Sequence, residues 1–134
     1  MQSSRHAISA YRRVDAEARV AAASPHRLIA LLYEGALNAL AHARGHMQRG
    51  NVAAKGEAIG KAIAILQEGL IPGLNRDAGG SLSQQLHDLY QYMTHRLLLA
   101  NLNDDAAALD EVKGLLNDLK GAWDAIGGPA AGRA

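Results

Sequence analysis

Ser24 to Leu40, SPHRLIALLYEGALNAL, constrains this chain more than any other stretch. Serine followed by proline is a strong helix start. The serine hydroxyl accepts from an orphan N–H of the first turn, and proline suits the first helical position, where its missing N–H costs nothing. Leu28, Ile29, Leu32, Tyr33, Ala36 and Leu40 then make one apolar stripe, which Leu31 and Leu37 widen. A helix with a single core-facing stripe needs only about three apolar positions per two turns. The surplus predicts a helix set deep in a bundle or touching partners on two sides.

The other helices are read from the same periodicity. Gly50 suits a left-handed helix end and Asn51 an N-cap. The second helix carries Val52, Gly56, Ile59, Ile63, Leu66 and Leu70, and Pro72 should end or kink it. A loop over 73–80 follows. Ser81 with Gln84 forms a capping box for a third helix carrying Leu82, Leu86, Leu89, Met93, Leu97 and Ala100. After a break at 101–104, the fourth carries Ala106, Leu109, Val112, Leu116, Leu119, Trp123 and Ile126, with Gly127-Gly128-Pro129 as its stop. Four such helices with short connections predict an all-α fold, an antiparallel four-helix bundle over residues 24–127. Residues 1–23 read as a thin amphipathic leader built on Ala7, Tyr11, Val14, Ala18 and Ala21, too weak to fold without a surface. Residues 128–134 read as a disordered tail.

Composition removes several functions. The 134 residues contain no cysteine, so disulfides, thiolate ligands and a cysteine nucleophile are excluded. A net charge of +1 offers no large field for nucleic acid. The N-terminus lacks an apolar signal region, and no apolar run reaches the length of a membrane span. The expectation is a cytoplasmic helical protein that neither inserts in a membrane nor binds nucleic acid.

Little in the chain suggests catalysis. His42 and His46 share one helical face, but neither the H-E-x-x-H motif nor the paired Glu-x-x-His of di-iron bundles accompanies them, so they read as solvated residues. Tyr90 and Tyr92 read as rim residues and Trp123 as core. We therefore expect no enzyme, no cofactor and no metal site. Gly56-x-x-x-Gly60 is not a phosphate loop. It reads either as close packing within the bundle or as close approach of a partner helix. Apolar residues off the main stripes, Ala58, Ala62 and Ile65 on the second helix and Ala108, Leu115 and Ala122 on the fourth, read as a wide core face or as an outer groove for another apolar helix. A helical metal carrier and a self-associating bundle are the alternative functions.

Several of these segments together resemble one family. Ala23-Ser24-Pro25-His26-Arg27-Leu28-Ile29 with Leu32-Tyr33-Glu34-Gly35-Ala36-Leu37, then Arg49-Gly50-Asn51 with Ala54-Lys55-Gly56-Glu57, then Lys61-Ala62-Ile63, Gly79-Gly80-x-Leu82 and Leu89-Tyr90-x-Tyr92-Met93-x-x-Arg96-Leu97, are similar in order to the FliS flagellar secretion chaperones. The resemblance implies a cytoplasmic chaperone that uses no nucleotide. It would bind the disordered C-terminal segment of flagellin, prevent premature polymerisation and deliver flagellin to the flagellar type III export gate. It also implies that the leader covers part of the groove when no partner is present. Ile8 and Tyr11 match an Ile-x-x-Tyr associated with export. The flagellin groove is expected at Gly56, Ala58, Ala62, Ile65, Ala108, Leu115 and Ala122, and a weak homodimer is compatible with the apolar faces.

Overall fold

The computed structural model describes residues 24–74 and 76–127. Helix α1 spans Pro25–Arg49 and α2 spans Val52–Ile65, continued by a π-helical turn, Leu66–Leu70. Helix α3 spans Arg76–Asn103 and α4 spans Ala106–Ile126. No strand occurs among the described residues. Each helix packs beside the next and α4 returns to α1, so the four form a closed antiparallel bundle.

Local chemistry sets most helix ends. Ser24 Oγ accepts from the Arg27 N–H at 3.0 Å and Pro25 opens α1. Gly50, at φ 72°, closes α1 in the left-handed conformation that costs glycine nothing. The Asn51 side chain makes no capping bond, contrary to expectation. Asp105 caps α4 instead, its carboxylate accepting from the Ala108 N–H at 3.2 Å. The chain turns after the π segment, at Pro72. Helix α3 starts earlier than the capping box suggests, but Gly80 interrupts it at φ 58°, ψ −132°. Its regular part therefore begins where Ser81 was expected to start it.

The core is aliphatic and alanine-rich, running through Ala36, Leu40, Ile59, Leu66, Met93, Leu97, Leu109, Val112 and Leu116. Tyr33 and Tyr90 meet within it, their hydroxyls 2.6 Å apart. Tyr90 is thus interior, not rim, because Tyr33 supplies the partner its hydroxyl needs. Four residues expected on apolar stripes are exposed instead: Leu28, Val52, Leu82 and Ile126. All lie within the first or last regular turns, where neighbouring helices no longer cover the face.

Tyr33→Phe is expected to cost about 1–3 kcal/mol, since the Tyr90 hydroxyl stays buried without a partner. Tyr33→Phe/Tyr90→Phe should cost less than the sum of the single changes, as denaturant titration would show. Burial raises both phenol pKa values. The unfolded chain therefore ionises first, so this stabilisation is complete below pH ~10 and falls as pH rises above it. The double variant should lack that alkaline loss.

Two polar closures hold the ends of the bundle. At one, Lys55, only 3% exposed, donates from its ammonium to the Asn101 carbonyl at 2.9 Å and pairs with the Asp104 carboxylate. Asp104 sits at φ 50°, in the turn between α3 and α4. At the other, His26 and Trp123 stack with ring centroids 4.6 Å apart and planes 5° apart. His26 Nε2 donates to the Trp123 carbonyl at 2.7 Å, and Trp123 Nε1 donates to the His26 carbonyl at 2.9 Å.

Candidate functional site: an apolar seam between α3 and α4

Tyr92, Arg96 and Glu111 set the alignment of α3 against α4. The Tyr92 hydroxyl donates to Glu111 Oε2 at 2.5 Å, and Arg96 Nε donates to Oε1 at 2.8 Å. These bonds to the charged form hold the Glu111 carboxyl below its usual range, while the same carboxylate raises the Tyr92 phenol. From this fixed point, antiparallel helices of equal rise bring Leu89 level with Leu115, and Leu82 level with Ala122. Leu82 and Tyr92 are exposed, at 62% and 44%, and Ala122 is exposed as well. Leu89 and Leu115 are half-buried against the core. The result is a shallow apolar seam with one tethered polar cluster. It has the character of a surface for another helix, with no nucleophile activated by a base.

The residues expected to line a groove do not form one surface. Ala62, Ile65 and Ala108 are 0–1% exposed and belong to the bundle core, which corrects their reading as groove residues. A core face wide enough to take in residues beside the main stripes accounts for them. Ala58 is half-buried against the same core. Gly56 lies in ordinary contact with the Asn101 side chain, 3.7–3.8 Å from an added Cβ. Only Leu115 and Ala122 fall on the seam. Leu82 and Tyr92 complete it and were missed as site residues. Leu82 had been assigned to the core stripe with Leu86, Leu89 and Met93, and Tyr92 to the rim. Ile8 and Tyr11 lie outside the described residues.

Close helix packing does not explain Gly60. An added Cβ there meets nothing within 4 Å, and the same holds for Gly114. Gly60→Ala and Gly114→Ala are therefore each expected to stabilise the protein by about 0.5–1 kcal/mol. Thermal melts of the two variants check this, and an unchanged or lowered Tm would show that the glycines serve a contact in the folded chain.

His42 is exposed, and His46 Nδ1 is 3.2 Å from Arg49 Nη2. No group of three or more metal-ligating side chains occurs among the described residues. None of the described helices is long and apolar enough to cross a membrane.

Comparison with known proteins gives this helical surface a family. The profile described as flagellar protein FliS matches residues 7–130. The chain belongs to the FliS family. The flagellar secretion chaperone FliS of Salmonella typhimurium is 49% identical over 119 residues, covering 89% of this chain and 88% of that protein. The flagellar secretion chaperone FliSB of Pseudomonas aeruginosa is 48% identical, covering 90% and 94%. FliS of Bacillus subtilis is 36% identical over 75% and 74%. FliS proteins are chaperones and not enzymes, in keeping with a seam that offers contact area and no reactive group.

Proposed function

We propose that this FliS protein binds the C-terminal segment of flagellin in the cytoplasm, keeps it from polymerising and delivers it to the flagellar export gate. The α3–α4 seam receives the segment, as a helix laid along Leu82, Leu89, Tyr92, Leu115 and Ala122. The observation that carries this reading is family membership over nearly the whole chain, joined to an exposed apolar strip without catalytic chemistry. Apolar contact suits the task. A disordered partner must offset about 2–5 kcal/mol of ordering, and burial of apolar area is the main term available.

The test is titration with a synthetic flagellin C-terminal peptide, following affinity and peptide helicity together. Binding with a gain of helix is expected. Leu82→Asp and Ala122→Asp should weaken it about tenfold or more, roughly 1.4 kcal/mol each, with the melting curve little changed. Leu102→Asp, at the far end of α3, should leave binding intact. Equal losses at all three sites would remove the seam assignment, and no binding by the parent protein would remove the function.

A further inference from the structure

Tyr92 is the one tyrosine or tryptophan exposed among the described residues. A side chain on the outside of a helix is ordinarily free to turn among staggered rotamers. Tyr92 is held at both ends instead. Its Cα belongs to α3, and its hydroxyl donates to Glu111 Oε2 on α4 at 2.5 Å. The carboxylate is itself oriented, because Glu111 Oε1 accepts from Arg96 Nε at 2.8 Å, one turn along α3 from Tyr92. Short bonds to an ionised group are stronger than neutral ones and fix geometry. The bundle has little need of this cluster. Met93 and Leu97 of α3 already pack in one core with Leu109, Val112 and Leu116 of α4, whereas ion pairs at the surface add little to stability. What the cluster does fix is the position of an aromatic ring on the seam.

We infer, on the reading that the seam receives the flagellin segment, that Glu111 and Arg96 are positioning residues that hold the Tyr92 ring as a preformed anchor for an aliphatic side chain of the docked helix. Association costs freedom for every side chain it immobilises, and a ring already held in place avoids that cost. Tyrosine is among the residue types that most often dominate binding at an interface. The chemistry of the docked group follows from the tether. The hydroxyl's single proton is spent on Glu111, so the phenol has no donor left and offers chiefly ring area. Leu89, half-buried and about one turn along α3, and Leu115, level with it on α4, extend that area with aliphatic surface.

The test uses the full-length protein and the synthetic flagellin C-terminal peptide. Tyr92→Ala should weaken binding about tenfold or more, and Glu111→Ala about three- to tenfold. Tyr92→Phe keeps the ring and loses only the tether, so it should match Glu111→Ala and not Tyr92→Ala. Glu111→Gln keeps an acceptor for the phenol and should lose less than Glu111→Ala. In the Tyr92→Ala background, Glu111→Ala should change affinity less than twofold. Thermal melts of all these variants should stay near the parent. Side-chain couplings measured by NMR on the free protein should show one Tyr92 rotamer in the parent and averaging in Glu111→Ala, an effect that a purely structural role would not produce. No peptide binding by the parent would remove the seam reading itself. Where Leu82→Asp weakens binding and Glu111→Ala does not, the positioning role alone is overturned. Additive effects of Tyr92→Ala and Glu111→Ala, or a Tyr92 side chain already averaged in the parent, overturn it as well.

Discussion

Ile65→Asp is expected to unfold the protein. The side chain is 1% exposed and packs in the central cluster. Its loss removes the burial that makes Ile→Ala substitutions cost about 2–5 kcal/mol, and a carboxylate is left in apolar surroundings without a partner. Together these exceed about 5 kcal/mol, comparable with the whole stability of a typical domain. Circular dichroism and denaturant titration would show a loss of cooperative unfolding. Ala122→Asp, on the exposed face of α4, should shift stability by no more than about 0.5 kcal/mol. The contrast is decisive because both positions look alike in the sequence, as apolar residues beside a main stripe. A folded Ile65→Asp protein would return that residue to the partner surface.

Gly127→Ala should be strongly damaging for the addition of a single methyl group. Its backbone, φ −101° and ψ 14°, is open to any residue, so conformation is not the obstacle. Space is: a Cβ there would stand 1.8–2.3 Å from three atoms of the His26 ring. The imidazole must swing away, losing its stack on Trp123 and its bond to the Trp123 carbonyl. A cost of about 2–3 kcal/mol is expected from the broken bond and the lost ring packing. His26→Ala also loses the closure but removes the obstruction. Gly127→Ala in the His26→Ala background should therefore cost almost nothing, giving a strong negative coupling in a double-mutant cycle. Additive effects would show that the ring does not occupy the space beside Gly127.

Helix number, helix type and most helix ends were legible in the residues, because each rests on interactions within about one turn of chain. The serine–proline start at Ser24 and the left-handed stop at Gly50 belong to this class. The π turn at Leu66–Leu70 was not legible, since it depends on how α2 is held between Gln91 and Thr94 of α3 and Leu32 of α1. Leu115 and Ala122, the α4 half of the seam, were legible only as apolar residues beside the main stripe of their helix. The other half was hidden because periodicity tells which residues share a face and says nothing of whether a neighbouring helix covers it. Leu82 and Leu86 fit the same stripe, yet only the second is substantially covered.

By itself, then, the sequence determined an all-α bundle of four helices, and its ordered motifs carried the family. Tertiary structure alone decided which apolar side chains became core and which polar ones were admitted to it. Tyr90 is interior because Tyr33, 57 residues away, meets its hydroxyl. Lys55 is interior because Asn101 and Asp104, 46 and 49 residues away, satisfy its ammonium. A polar group tolerates burial only when a partner arrives, and a partner that distant in the chain is supplied by packing alone.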